Sequence, residues 1–121
     1  MTVPECNVEQ KDFFSPNCEI HVREIAEIDG TLSVVLDGQI RYLSVASLQA
    51  FFQEQLRQHA PGRLELDFCK VTFVDSQGLA LLIGVYKACM ANKIKLAIRG
   101  ASPNVRSLLE LTRINKLIEL I

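Results

Sequence analysis

Residues 71–86 read VTFVDSQGLALLIGVY, and no other stretch restricts the possible folds of this chain so strongly. Leu64, Leu66 and Phe68 alternate with Glu65 and Asp67 ahead of it, polar Asp75-Ser76 interrupts it, and an almost wholly apolar run follows. Alternation at period two marks a strand, and a long apolar run behind a capping residue marks a buried helix. The pattern predicts a strand, a turn at Asp75-Ser76, and a helix over residues 76–91. A serine so placed meets free backbone N–H groups and the positive end of the helix dipole, both of which favour an anion. Its roles are then three: a plain cap, a nucleophile, or an acceptor of phosphate.

The rest of the chain supplies the partners of that unit. Residues 1–18 show no helix or strand period and are expected to form a leader, partly disordered, with Phe13-Phe14 packing locally. Residues 19–26 form a weak strand, Asp29-Gly30 is a hairpin turn, and residues 31–37 alternate as a second strand. Residues 44–58 carry Val45, Leu48, Phe51, Phe52 and Leu56 at helical spacing, with Ser44 as the expected N-cap and Pro61-Gly62 as the stop. Residues 93–99 alternate again, and Ser102-Pro103 starts a third helix bearing Val105, Leu108 and Leu109. Residues 117–121 close the chain as a strand. The order β-β-α-β-α-β-α-β predicts one α/β domain over residues 19–121, a mixed, mostly parallel sheet of about five strands with helices packed on it.

Composition narrows the function classes. A chain of 121 residues, 49 % hydrophobic and 22 % charged, is long enough to bury a core without metal or disulfide staples. A net charge of −1 gives no push toward nucleic acid or an anionic membrane. No apolar run approaches the roughly 20 residues that cross a bilayer, and the polar N-terminus lacks the shape of a secretory signal. A cytoplasmic protein without membrane insertion is expected. Cys6, Cys18, Cys69 and Cys89 have no metal-ligand spacing, so neither metal nor cofactor is expected. Cys69 and Cys89 read as small buried residues, and Cys6 and Cys18 as free thiols.

Catalysis by Ser76 would need a base. His21 lies in the first strand and His59 at the far end of the first helix, where a solvated residue is expected. The nucleophile-elbow glycine two places before the serine is absent. Asp75 as a receiver-type phosphoacceptor would need a carboxylate pair after the first strand, but Glu24, Glu27 and Asp29 are scattered. Gly78 and Gly84 make no phosphate-binding loop, and Gly84 reads as a close-packing or partner-surface position. What remains is Ser76 as cap or as phosphoacceptor, beside a helix from Leu79 to Val85 that has no polar side chain. An apolar surface of that kind is covered by another helix or forms a partner site.

From residue 19 onward the chain resembles the STAS domain, best known from bacterial anti-sigma factor antagonists. The resemblance rests on Leu64-Glu-Leu-Asp-Phe followed by VTFVDSQGL, on Gly38-Gln-Ile before the first helix, and on Ala101-Ser-Pro-Asn-Val-Arg-Ser-Leu-Leu later. It implies that Ser76 is the phosphoacceptor, supported by Asp75, Gln77 and Gly78, in a protein that is not an enzyme. It further implies a partner, an anti-sigma factor that is also a serine kinase, with a serine phosphatase resetting the switch. Partner contacts are expected from Gly38, Gln39 and Arg41, and from Leu79, Leu82, Ile83 and Tyr86 along the apolar helix. Two residues depart from the family pattern: Gln77 replaces a smaller residue, and Arg41 an acidic one. Arg41 is either a partner for a phosphate on Ser76 or a solvated arginine. The alternative implied function is a constitutive STAS subunit of another complex, such as a membrane lipid transporter, with Ser76 a structural cap. A small-ligand or nucleotide-binding module has no recognisable cradle here.

Overall fold

The computed structural model describes the backbone at residues 6–9 and 13–14 and the whole of residues 19–121. After two short strands, β1 (Cys6–Glu9) and β2 (Phe13–Phe14), β3 (Ile20–Ile28) and β4 (Thr31–Ile40) pair antiparallel as a hairpin. Its turn residues Asp29 and Gly30 have φ of 51° and 79°, the doubly left-handed turn whose twist matches that of the strands it joins. Helix α1 (Tyr42–His59), strand β5 (Arg63–Val74), helix α2 (Ser76–Ala91), strand β6 (Lys95–Arg99), helix α3 (Pro103–Leu111) and strand β7 (Glu119–Leu120) follow.

The sheet runs β1-β3-β4-β5-β6-β7, with β2 also on β3. The pairs β4–β5, β5–β6 and β6–β7 are parallel. Because β4 to β7 lie in chain order and crossovers are right-handed, the three helices fall on one face. Burial agrees. Leu32, Val34 and Leu36 of β4 and Leu64, Leu66 and Phe68 of β5 are sealed under the helices. Glu65, Asp67 and Arg99 stand on the opposite face, where Arg63 and Arg99 both pair with Glu65.

The expected mixed sheet of five strands is present in residues 19–121 as β3 to β7. The leader, read as irregular, adds β1 and β2 antiparallel along the outer edge of β3. Edge pairing makes these strands, and it leaves no periodicity to read in advance. The leader's remaining residues, the disorder expected for some of them, and the side chains of Cys6 and Cys18 lie outside the described residues.

Three local expectations need correction. Cys69 is exposed, not buried. The register shifts between Val35/Asp37, where β5 carries one residue more than β4, and the pleat of β5 turns Cys69 and Lys70 outward. Cys89 is buried, and burial pushes its thiol up to about 11. His59 is not solvated: its Nδ1 lies 2.8 Å from Oε1 of Glu27 on β3, and its Nε2 is enclosed. Gly84 is not a close-packing position, for a Cβ there would meet nothing within 4 Å.

Candidate functional site

Asp75 organises the end of the sheet at which β4 and β5 finish. Its backbone N–H donates to the Ile40 carbonyl at 3.1 Å, tying the two strand ends together. Its Oδ1 accepts the Gly78 N–H at 2.8 Å and caps α2. Its Oδ2 accepts the Tyr42 N–H at 3.0 Å and so caps α1 as well. One carboxylate thus satisfies an orphan donor at each of two helix N-termini.

This arrangement corrects the start of α1. The helix begins at Tyr42, two residues before the expected cap. Ser44 is buried inside the first turn, where its hydroxyl lies 3.4 Å from Oε1 of Glu19. Oε2 of the same carboxylate pairs with Arg41 at 3.2 Å. Arg41 is therefore an ion-paired residue and not a freely solvated one.

Small residues let these segments close on one another. Gly38 has φ of 127°, and a Cβ there would collide with the Glu19 carbonyl oxygen. At Gly78 a Cβ would lie 2.7 Å from the Ile40 carbonyl oxygen and 2.8 Å from Cγ1 of Val74. Only glycine allows α2 to start this close to the end of β4.

Ser76 occupies the first position of α2 and is exposed, as is Gln77. Asp75 provides the cap, so the Ser76 hydroxyl is not required for it. Gln39 is exposed on β4 opposite Phe73, and the strand ends bring Gly38, Gln39 and Arg41 alongside Asp75 and Ser76. The apolar helix positions behave differently. Leu82 is buried at 1 % exposure and belongs to the core, not to a contact surface. Leu79, Ile83 and Tyr86 are half-buried against the core, and α1 packs along α2. Helix α1 is the element that covers much of the apolar run.

Exposed apolar side chains near Asp75 include residues that sequence reading passed over. Tyr42, Leu43 and Phe73 are 60 %, 48 % and 48 % exposed. Tyr42 is bonded directly to Asp75, and Phe73 stands two residues before it. Phe73 also lines a groove of about 320 Å³ with Val74, Val105 and Leu108. The signal for these residues was phase: Tyr42 and Leu43 precede the helical stripe that begins at Val45, and Phe73 follows a second register shift in β5.

The site offers an exposed hydroxyl at a helix N-terminus, next to an aspartate that also holds the start of α1 with its exposed Tyr42 and Leu43. Among the described residues the two histidines stand away from the hydroxyl. His59 lies at the other end of α1 with Glu27, and His21 stands on β3 opposite Asp37. Among the described residues no cluster of His, Cys, Asp and Glu suits a metal, and no helix is long and apolar enough to cross a membrane.

Comparison with known proteins agrees with this architecture. An anti-sigma factor antagonist from Mycobacterium paratuberculosis superposes with a TM-score of 0.71 at 23 % identity, covering 89 % of each chain. The Bacillus cell fate determinant SpoIIAA in its phosphorylated form superposes at 0.59 with 20 % identity, over 76 % of this chain and 83 % of its own. A sulfate transporter family protein from Wolinella succinogenes superposes at 0.62 with 16 % identity, over 73 % of this chain and 70 % of its own. At these identities the shared property is the fold. The family model for the STAS domain matches residues 22–121, and the chain belongs to the STAS domain family.

Proposed function

We propose that this protein is an anti-sigma factor antagonist in a partner switch, and that Ser76 is the residue on which the switch is written. Unphosphorylated, it binds an anti-sigma factor that is also a serine kinase; phosphorylated, it is released, and a serine phosphatase restores it. It acts as ligand and kinase substrate and not as an enzyme. The observation that carries this reading is the exposure of Ser76 beside a cap supplied by Asp75, whose carboxylate also holds the start of α1 with its exposed Tyr42 and Leu43.

The energetics suit a switch. Phosphate adds roughly −1.5 to −2 charges. At the N-terminus of α2 the dipole stabilises such a charge by about 0.3–1 kcal/mol, so the fold tolerates it. Within a docked interface one like-charge pair at about 5 Å and an effective dielectric near 20 costs on the order of 3 kcal/mol. That is more than a hundredfold in affinity.

The test is incubation with the cognate kinase and ATP, then mapping of the modified residue. Ser76→Asp is expected to weaken kinase binding by roughly a hundredfold while the melting temperature stays within a few degrees. Undiminished binding by that variant overturns the reading. It would favour the second one, a constitutive subunit of another complex such as a membrane lipid transporter, with the occurrence of the fold in a sulfate transporter family protein in its support.

A further inference from the structure

Charge is segregated along this chain although its net value is −1. Between Ser76 and Leu109 there is no Asp or Glu, while Lys87, Lys93, Lys95, Arg99 and Arg106 fall in that span. The tertiary structure sorts these cations into two kinds. Arg99 pairs with Glu65 and Arg106 with Glu110. Lys87, Lys93 and Lys95, joined by Lys116, have no ion pair among the described residues, and all four are exposed.

One of them, Lys95, lines a groove of about 270 Å³ at the C-terminal end of α2, and the other three stand in sequence next to residues of its wall. Its apolar wall is Tyr86, Met90, Ile94, Leu96 and Leu117. Met90 is 61 % exposed and Leu117 46 %, high values for side chains that gain nothing from water. Lys95 lines the groove itself; Lys87 precedes Met90 by one helical turn, Lys93 adjoins Ile94, and Lys116 adjoins Leu117. The one acid on the wall, Glu119, is held by Arg63 at 3.3 Å. The groove lies about 20 Å along α2 from Ser76, at 1.5 Å per residue, so a partner there leaves the phosphoacceptor free.

We propose that this groove is a second docking surface, and that its occupant is an acidic amphipathic helix of a protein partner. An apolar anchor side chain fills the concavity, and Asp or Glu on either side of it face the lysine rim. Concavity favours a protein segment over a bilayer, which meets protruding side chains on a flat front. Unpaired lysines on the rim keep the free surface in solution and steer an acidic partner onto it.

The probe is a labelled helical peptide with leucines at one-turn spacing flanked by glutamates, measured by fluorescence anisotropy on the full chain. Binding is expected, weakening as salt rises. Lys93→Glu combined with Lys95→Glu should lower affinity about tenfold or more, and Leu117→Asp should do the same. Because all three positions are exposed, melting curves of these variants should match wild type, and the Ser76→Asp variant should bind the peptide as wild type does. That last arm keeps this result separate from the phosphorylation reading. Absence of binding, equal binding of a lysine-for-glutamate peptide, or binding to phosphatidylglycerol vesicles in place of the peptide would each overturn the proposal.

Discussion

Asp75 does the work of two capping residues, and its removal is correspondingly costly. Each cap contributes about 1 kcal/mol, so Asp75→Ala should lose about 2 kcal/mol. For a domain of this size that is a fall of roughly 8 °C in melting temperature, readable by calorimetry. A fall of only a degree or two would mean that the Tyr42 and Gly78 N–H groups find water or other acceptors. Gly78 is constrained by space. A methyl group 2.7 Å from the Ile40 carbonyl oxygen must push α2 away from the strand it springs from. Gly78→Ala is therefore expected to cost about 1–3 kcal/mol, as overpacking does elsewhere. The sequence pointed to the Asp75-Ser76 turn as the start of α2; that the Asp75 carboxylate also caps α1, 33 residues upstream, depends on strand pairing that no local pattern displays.

Helix α2 contains a second glycine whose behaviour should be the reverse. Gly84 lies in the helix interior with open space where a Cβ would sit, so only its backbone entropy matters. Gly84→Ala should raise stability by about 0.5–1 kcal/mol, measured as a shift in denaturant midpoint at constant slope. Loss of stability would show that an additional contact occupies that space. The extent of α2 and the cap of α3 by Ser102, with Pro103 in the first turn, were readable because they depend on neighbours in the chain. The start of α1 was not. Ser44 has a capping residue's chemistry, but β4 and Asp75 start the helix earlier and Ser44 is turned onto Glu19. The burial of Leu82, expected among the partner contacts of α2, was hidden for a related reason. A continuous apolar run records that every side is dry without saying whether a sheet, a helix or another molecule keeps it so.

Among the described residues the helices lie on one face of the sheet, and the opposite face carries charged side chains. That face is held by charge: Glu65 receives hydrogen bonds from Arg63 at 2.8 Å and Arg99 at 3.1 Å. The Arg63 bond, followed by that from Arg99, outweighs partial burial and holds the Glu65 carboxyl below its usual range. A carboxyl whose pKa is lower folded than unfolded contributes stability in full above the unfolded value and loses it as pH falls through the folded one. Melting temperature should therefore drop on acidification below about pH 4.5, and Glu65→Gln should flatten that drop while costing about 1 kcal/mol at neutral pH. An unchanged acid limb in the variant would place the titrating group elsewhere. By itself the amino-acid sequence determined the class of fold, the succession of elements, the hairpin turn and the identity of the residue at the start of α2, because each follows from periodicity or from backbone preferences within a few neighbours. Only the tertiary structure decided that Ser76 is exposed, that Leu82 is not, and that Asp75 joins the starts of α1 and α2. Those are properties of distance between segments, and distance between segments is created by packing.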